Sequence, residues 1–192
     1  MASLFELWAK RDPQWEKKYE DSIIKVFADY GKGVNKYQDV RGRTFGAGYE
    51  LFIIAFFIGL YFDRTKPLTE DSLKRKKFGW NIVNSGHIES RNGRNPYGDI
   101  KKYMFAALIA RTDIDFVALD KGELAPARAV DKLIDKMEQY ANFGFDYIHE
   151  RMEDDPNCFF KDEAFLKIFT SFLSKDEEKM DYDSSDSPES LD

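Results

Sequence analysis

The run Leu51–Phe62 (LFIIAFFIGLYF) constrains the fold of this chain more than any other stretch. Apart from one glycine it is apolar on every side, and Glu50 and Asp63 flank it. As a helix, these 12 residues cover about 18 Å at 1.5 Å per residue, short of the roughly 30 Å of a bilayer's hydrocarbon core. The run therefore predicts a buried central helix, from about Gly48 to Asp63, wrapped by other helices or by a partner subunit. Lys66-Pro67 marks the break after it, because proline disfavours the helical conformation in the residue before it.

Helical periodicity recurs on both sides of this run. Asp12-Pro13 reads as a helix start, with Asp as cap and Pro in the first turn. Trp15, Tyr19, Ile23, Phe27 and Tyr30 then follow on one face, up to a stop at Gly31-Lys32-Gly33. A second apolar helix is predicted over about Asp99–Arg111. The clearest pattern begins after Pro126, where Val130, Leu133, Ile134, Met137, Tyr140, Ala141, Phe145, Ile148 and Met152 keep one apolar stripe for about six turns. Asp131, Lys132, Asp135, Lys136, Glu138 and Gln139 take the other face, and Asp155-Pro156 ends the helix. A last helix is expected over about Asp162–Ser174. Ile114–Val117 has the composition of a short strand but nothing identifiable to pair with.

The fold class is therefore all-α: an irregular bundle of five to six helices around the apolar one. A short helix is expected to begin at Thr69, followed by a long polar loop over about 84–98 (NSGHIESRNGRNPYG). Residues 1–174 are expected to form a single domain. The acidic, serine-rich stretch 175–192 has little to bury and is expected to be a disordered tail. An apolar share of 43% and an aromatic share of 16% support a folded interior for the rest. The lone Cys158 excludes an internal disulfide, which suits a reducing, cytoplasmic setting. No secretory signal is expected at the start and no membrane span anywhere.

Charge is divided unevenly along the chain. Residues 1–112 hold 20 Lys and Arg against 13 Asp and Glu, a net of +7, whereas residues 113–192 hold 9 against 22, a net of −13. A basic half inside an acidic protein points to a polyanion or to an acidic protein neighbour. Three clusters carry it: Arg41 and Arg43; Lys74, Arg75, Lys76 and Lys77; and Arg91, Arg94, Lys101 and Lys102. Trp80, His87, Asn92, Asn95 and Tyr97 lie among them, residue types that stack on bases or bond to phosphates and sugars. Arg41-Gly-Arg43-Thr44-Phe-Gly46-Ala-Gly48 is neither a Walker A loop nor a dinucleotide fingerprint, and reads first as a flexible connection.

Signals for catalysis are weak. His87 with Glu89, Asn92 and Asn95 is the one cluster suggestive of a metal-dependent hydrolase, yet the chain has two histidines and no HExxH or CxxC spacing. No metal or cofactor is expected. Glu50, at the start of the central helix, fits a dipole role or an ion pair with Arg41 or Arg43. Cys158 and His149 read as packing residues. The expected function is a non-catalytic accessory or scaffold subunit of a nucleic-acid-handling complex, with the basic half on phosphates and other surfaces on protein partners or a second copy. The alternatives are a pure protein-interaction or oligomerisation module and, behind it, the hydrolase.

Overall fold

The structure, a computed structural model, describes residues 2–28, 45, 47–85, 97–161 and 163–170. The chain divides into two compact units, Met1–Glu150 and Arg151–Asp192. It is mostly helical. In chain order the elements are α1 (Leu4–Ala9), β1 (Gln14–Glu16), a π-helical turn (Glu20–Ile24) running into α2 (Lys25–Phe27), α3 (Gly48–Phe62), β2 (Arg75–Lys77), α4 (Ile100–Arg111), α5 (Phe116–Asp120) and α6 (Pro126–Asp154). Short 3-10 turns occupy Ser72–Lys74, Ile82–Asn84 and Cys158–Phe160. Among the described residues, no helix is long and apolar enough to cross a membrane.

The apolar run forms α3 with the expected bounds, and ten of its residues, from Gly48 to Gly59, are buried. It ends in a Schellman motif: the Arg64 N–H donates to the Gly59 carbonyl (3.0 Å) and the Asp63 N–H to that of Leu60 (3.1 Å). Asp63 takes the left-handed position (φ 50°) where glycine is the usual occupant. Its carboxylate offsets that strain by receiving Arg111 from the end of α4 (3.0 Å) and the Tyr140 hydroxyl from α6 (3.2 Å).

Two glycines set how α3 meets α6. A Cβ on Gly59 would lie 2.2 Å from the Tyr140 carbonyl oxygen, and one on Gly144 would lie 1.9 Å from that of Ala55. The two helices thus cross antiparallel with backbone against backbone, and the rings pack beside the crossing. Phe56 meets Tyr140 edge-on (6.0 Å between centroids), while Phe145 stacks on Tyr19 (5.4 Å).

The α6 stripe is buried from Val130 to Ile148 as its periodicity predicts, with Met152 half-buried. One member of its expected polar face is buried. Glu138 is buried because the chain entering β1 lies over it and the Gln14 N–H donates to its Oε1 (2.8 Å).

The expected helix start at Asp12-Pro13 is also overturned. Asp12 accepts the Gly79 N–H (2.8 Å) instead of capping a helix, and the chain continues as strand β1, paired antiparallel with β2. Helical geometry begins only near Tyr19, and Tyr19, Ile23 and Phe27 are then fully buried on one face, as their spacing predicts. A second correction concerns Ile114–Val117. Asp115 caps α5 by accepting the Ala118 N–H (2.8 Å), so this segment starts a helix.

α1 is an element that hydrophobic periodicity does not announce, although Ser3 and Glu6 form a reciprocal capping box (3.2 and 2.8 Å). Its Phe5 and Trp8 pack on Phe105 of α4 (5.2 and 5.4 Å).

In the second unit, residues 164–170 are helical, Phe159 stacks on Phe165 (4.7 Å) and Ile168 is buried. Phe172, Leu173 and the stretch 175–192 lie outside the described residues.

Because the α3–α6 contact is backbone on backbone, neither glycine tolerates a methyl group. Gly59→Ala and Gly144→Ala should each lower stability by about 1–3 kcal/mol, seen as an earlier urea midpoint. Gly98→Ala, whose Cβ meets nothing within 4 Å, serves as the control and should leave the midpoint in place. An unshifted midpoint for Gly144→Ala would contradict the crossing.

Candidate nucleic-acid interface

The basic run 74–77 closes a 3-10 turn with Lys74 and continues as the edge strand β2 over Arg75–Lys77. Asp71 caps the preceding 3-10 turn by accepting the Leu73 N–H (3.0 Å). The register then sets Glu16 opposite Arg75, Trp15 opposite Lys76 and Gln14 opposite Lys77. Beyond the ladder the Lys17 N–H donates to the Lys74 carbonyl (2.8 Å). Phe78 plugs the far end into the core, with its ring 5.5 Å from Tyr49 and Phe52 and 5.8 Å from Trp15. Three consecutive cations can hold a strand here because Arg75 and Lys76 find local partners and Lys77 faces solvent. Lysines also protect an exposed edge from further strand pairing.

Those partners decide which charges remain available. The Arg75 Nε donates to the Thr69 carbonyl at 2.5 Å. Lys76 lies over the Trp15 ring (5.8 Å) and pairs with Glu20 (2.9 Å). Lys74 is 3.6 Å from Asp71 and largely exposed. Lys77 is exposed and makes no ion pair among the described residues.

The pairing of β1 with β2 adds two cations outside the three clusters marked by sequence. Lys17 and Lys18 come beside Lys74 and, with Glu16, Thr69 and Leu73, line a cleft of about 330 Å³. Lys17 makes no ion pair among the described residues, and Lys18 is shared between Glu16 (3.0 Å) and Asp146 (3.9 Å). Leu73 is 79% exposed at the rim. Nothing in the spacing of Gln14-Trp15-Glu16 signals a strand, so the meeting of these lysines is not legible in the sequence.

Of the other candidate residues, Lys101 is buried and its Nζ donates to the Val83 carbonyl (2.7 Å), with burial lowering its pKa. Lys102 is exposed on α4 and pairs with Asp99 (2.8 Å). Tyr97 donates its hydroxyl to Glu50 (3.1 Å). Arg41, Arg43, Arg91 and Arg94, together with His87, Glu89, Asn92 and Asn95, lie outside the described residues. Among the described residues, no group of three or more His, Cys, Asp or Glu side chains is placed to hold a metal ion. Cys158 is half-buried with its Sγ 3.5 Å from the Arg151 carbonyl, and burial raises its pKa. His149 stands edge-on to the Tyr19 ring at 6.2 Å.

Trp80 is presented differently from the other two tryptophans. Trp8 and Trp15 are buried, while Trp80 is 53% exposed. The turn that carries it is tied on both sides. Gly79, at φ +70°, donates its N–H to Asp12, and the Ile82 N–H donates to the Arg11 carbonyl (2.9 Å).

Beneath the sheet runs a line of polar side chains on α6. Asn142 Nδ2 donates to Glu16 Oε1 (3.1 Å) and to the Pro67 carbonyl (3.0 Å). Glu16 Oε1 also accepts the Thr69 N–H (2.7 Å). Burial pushes the Glu16 carboxyl up, but Lys18, Thr69 and Asn142 together outweigh it and hold the pKa below the usual value. Asp146 behaves likewise: burial opposes ionisation, but Lys66 (2.5 Å) and the Tyr19 hydroxyl (3.0 Å) win. Tyr19 is raised by burial and by the Asp146 charge. These three groups are therefore held in their ordinary charge states at neutral pH. No protein-family model, no curated protein and no solved structure matches the chain.

Glu138 is the exception in this row. Burial, and then the charge of Asp135, push its carboxyl up to about 7 against the opposing pull of the Gln14 N–H, Arg75 and Lys77. The unfolded chain releases this proton near 4.5, so the folded protein holds one proton more between about 4.5 and about 7. Stability should therefore fall as pH rises through that window. Glu138→Gln keeps an acceptor for Gln14 and should remove this slope, stabilising the protein at pH 8 by up to about 3 kcal/mol relative to its effect at low pH. Urea unfolding at pH 5 and pH 8 reads the difference, and an equal effect of the substitution at both values would refute it.

Proposed function

We propose that the chain is a non-catalytic accessory or scaffold subunit of a nucleic-acid-handling complex, and that it meets phosphates at the lysine corner of the β1–β2 sheet. The observation that carries this reading is the cleft where Lys17, Lys18 and Lys74 converge. Three lysines drawn from two separate stretches line one space together with Glu16, which answers Lys18, and Lys77 lies further along β2. Lysines that contact phosphates release counterions, which supplies affinity without sequence preference. Arg41, Arg43, Arg91, Arg94 and Lys102 belong to the same proposal as further contacts. Lys101, buried against Val83, supports the fold from within. The fixed charge states of Glu16, Asp146 and Tyr19 favour a holding role over proton transfer at this corner. A cytoplasmic setting goes with the single cysteine.

A protein-interaction role is favoured by a separate observation. Tyr61 and Phe62, each 38% exposed, end α3 beside half-buried Phe143 and Tyr147 of α6, with Phe62 5.0 Å from Tyr147. An aromatic cluster of this kind suits a protein partner or a second copy of the chain.

The test is a titration of a labelled oligonucleotide with the full chain over a series of salt concentrations. Binding should weaken steeply with salt. Replacing Lys17 and Lys74 together by alanine should reduce the log–log salt slope by about 2, one for each phosphate that no longer meets a lysine. Absence of binding at low salt, or an unchanged slope in the double variant, would remove the proposal. The protein-interaction role would then be examined by measuring mass against concentration.

A further inference from the structure

We infer, resting on the nucleic-acid reading above, that the interface takes single-stranded in preference to double-stranded nucleic acid, with Trp80 as its base-stacking platform.

The first support is the way the indole is held. An exposed tryptophan forgoes much of the burial that its large ring would otherwise contribute, while the neighbouring Phe78 is packed against three aromatic rings. Trp80 is nonetheless not on a loose connection. Asp12 fixes the Gly79 N–H on one side and the Arg11 carbonyl fixes Ile82 on the other, with Ile82 itself fully buried. Glycine permits the positive φ that turns the chain at this point. An apolar ring on a turn anchored in this way gives up little freedom on binding, which is the condition for an efficient stacking contact.

The second support is charge. Lys77 lies three residues before Trp80 and makes no ion pair among the described residues. The Lys17, Lys18 and Lys74 corner lies at the other end of the same short ladder. Lys74 to Trp80 is six residues, at most about 20 Å of extended chain, so a few nucleotides would span the lysine corner and the indole together.

The third support is what the sheet cannot do. A two-stranded ribbon reads a duplex by laying one face in the major groove. Here Lys76 lies over Trp15, and on the other face Glu16 is fastened to Asn142 of α6. One face is thus tied down on α6 and the other is occupied by Lys76, which is engaged with Trp15 and Glu20, so the edge and the turn are the freest surfaces. Bases inside a duplex have both faces covered by their neighbours, whereas an unpaired base has a face to offer an indole.

The chain supplies its own reporter. It has three tryptophans, and two of them are buried, so quenching by an added oligonucleotide reports on Trp80. Intrinsic fluorescence of the full chain would be titrated at low salt with an oligothymidylate and, separately, with a duplex of the same length, and the affinity of the chain and of each Trp80 variant would be read independently from the anisotropy of the same oligonucleotides carrying a label. The expected result is quenching and tighter binding by the single strand. Trp80→Ala should weaken single-strand binding by roughly 5- to 100-fold, Trp80→Phe should recover part of it, and the salt slope should be unchanged in both. Equal affinity for the two forms, with no quenching by either, would overturn the single-strand inference and leave the phosphate reading intact. Failure of both forms to bind would overturn the two together.

Discussion

The close crossing of α3 and α6 is the contact on which the rest of the first unit depends. Side chains normally hold two helices about 8–10 Å apart. At Gly59 and Gly144 there is no side chain, and each glycine sits directly on the partner's backbone. Only then do Phe52, Phe56, Tyr140 and Phe145 fit beside the crossing, because their rings fill the flanks and not the gap. Burial of the apolar residues of α3 and α6 drives the two helices together. The glycines determine where along α6 that burial occurs. A slip of α6 by one turn would drive a side chain into the backbone of α3.

That register has a consequence on the neighbouring face of α6. Glu138, Asn142 and Asp146 are spaced four residues apart and form a polar line beside the apolar stripe. Each holds a different part of the chain. Glu138 receives the first residue of β1, Asn142 holds Glu16 and the carbonyl of Pro67, and Asp146 receives Tyr19 and Lys66. A two-stranded sheet of three residues per strand is marginal by itself in water. Here it is laid on a helix whose position two glycines have already fixed, and so the lysines at its edge occupy defined positions.

What can be read in advance divides along this line. α3 and α6 are legible because their signals are local and long, one as a continuous apolar run and the other as a stripe sustained over six turns. α1 is legible in principle from Ser3 and Glu6 but lies in a stretch with little else to recommend it. Asp12-Pro13 misleads because an aspartate before a proline suits a helix cap and a turn tie equally well, and a glycine 67 residues away decides between them. Glu138 misleads for the same reason: its helical position is polar by pattern, and only the remote chain entering β1 buries it. Of the candidate cations, Lys74 and Lys77 stand at the exposed edge, Lys101 is turned inward by a carbonyl 18 residues away, and Lys17 and Lys18 join the group only through strand pairing. Non-local pairing is the information that periodicity does not carry.

The same pairing changes what the charge division along the chain means. Counted by sequence, the first 112 residues carry a net of +7. Counted in space, part of that excess is answered by acids from the second half. Asp131 lies 2.6 Å from Arg11, and Asp146 serves Lys66 and, more distantly, Lys18. Exposed pairs of this kind add little to stability, but they lower the local potential a polyanion would meet. Along the β1–β2 corner, the cations least answered by acids are Lys17, Lys74 and Lys77. In the proposed interface, a small lysine corner and one indole would give a modest, salt-sensitive contact. Binding of that size suits a subunit that adds to the grip of a larger assembly better than one that holds nucleic acid alone.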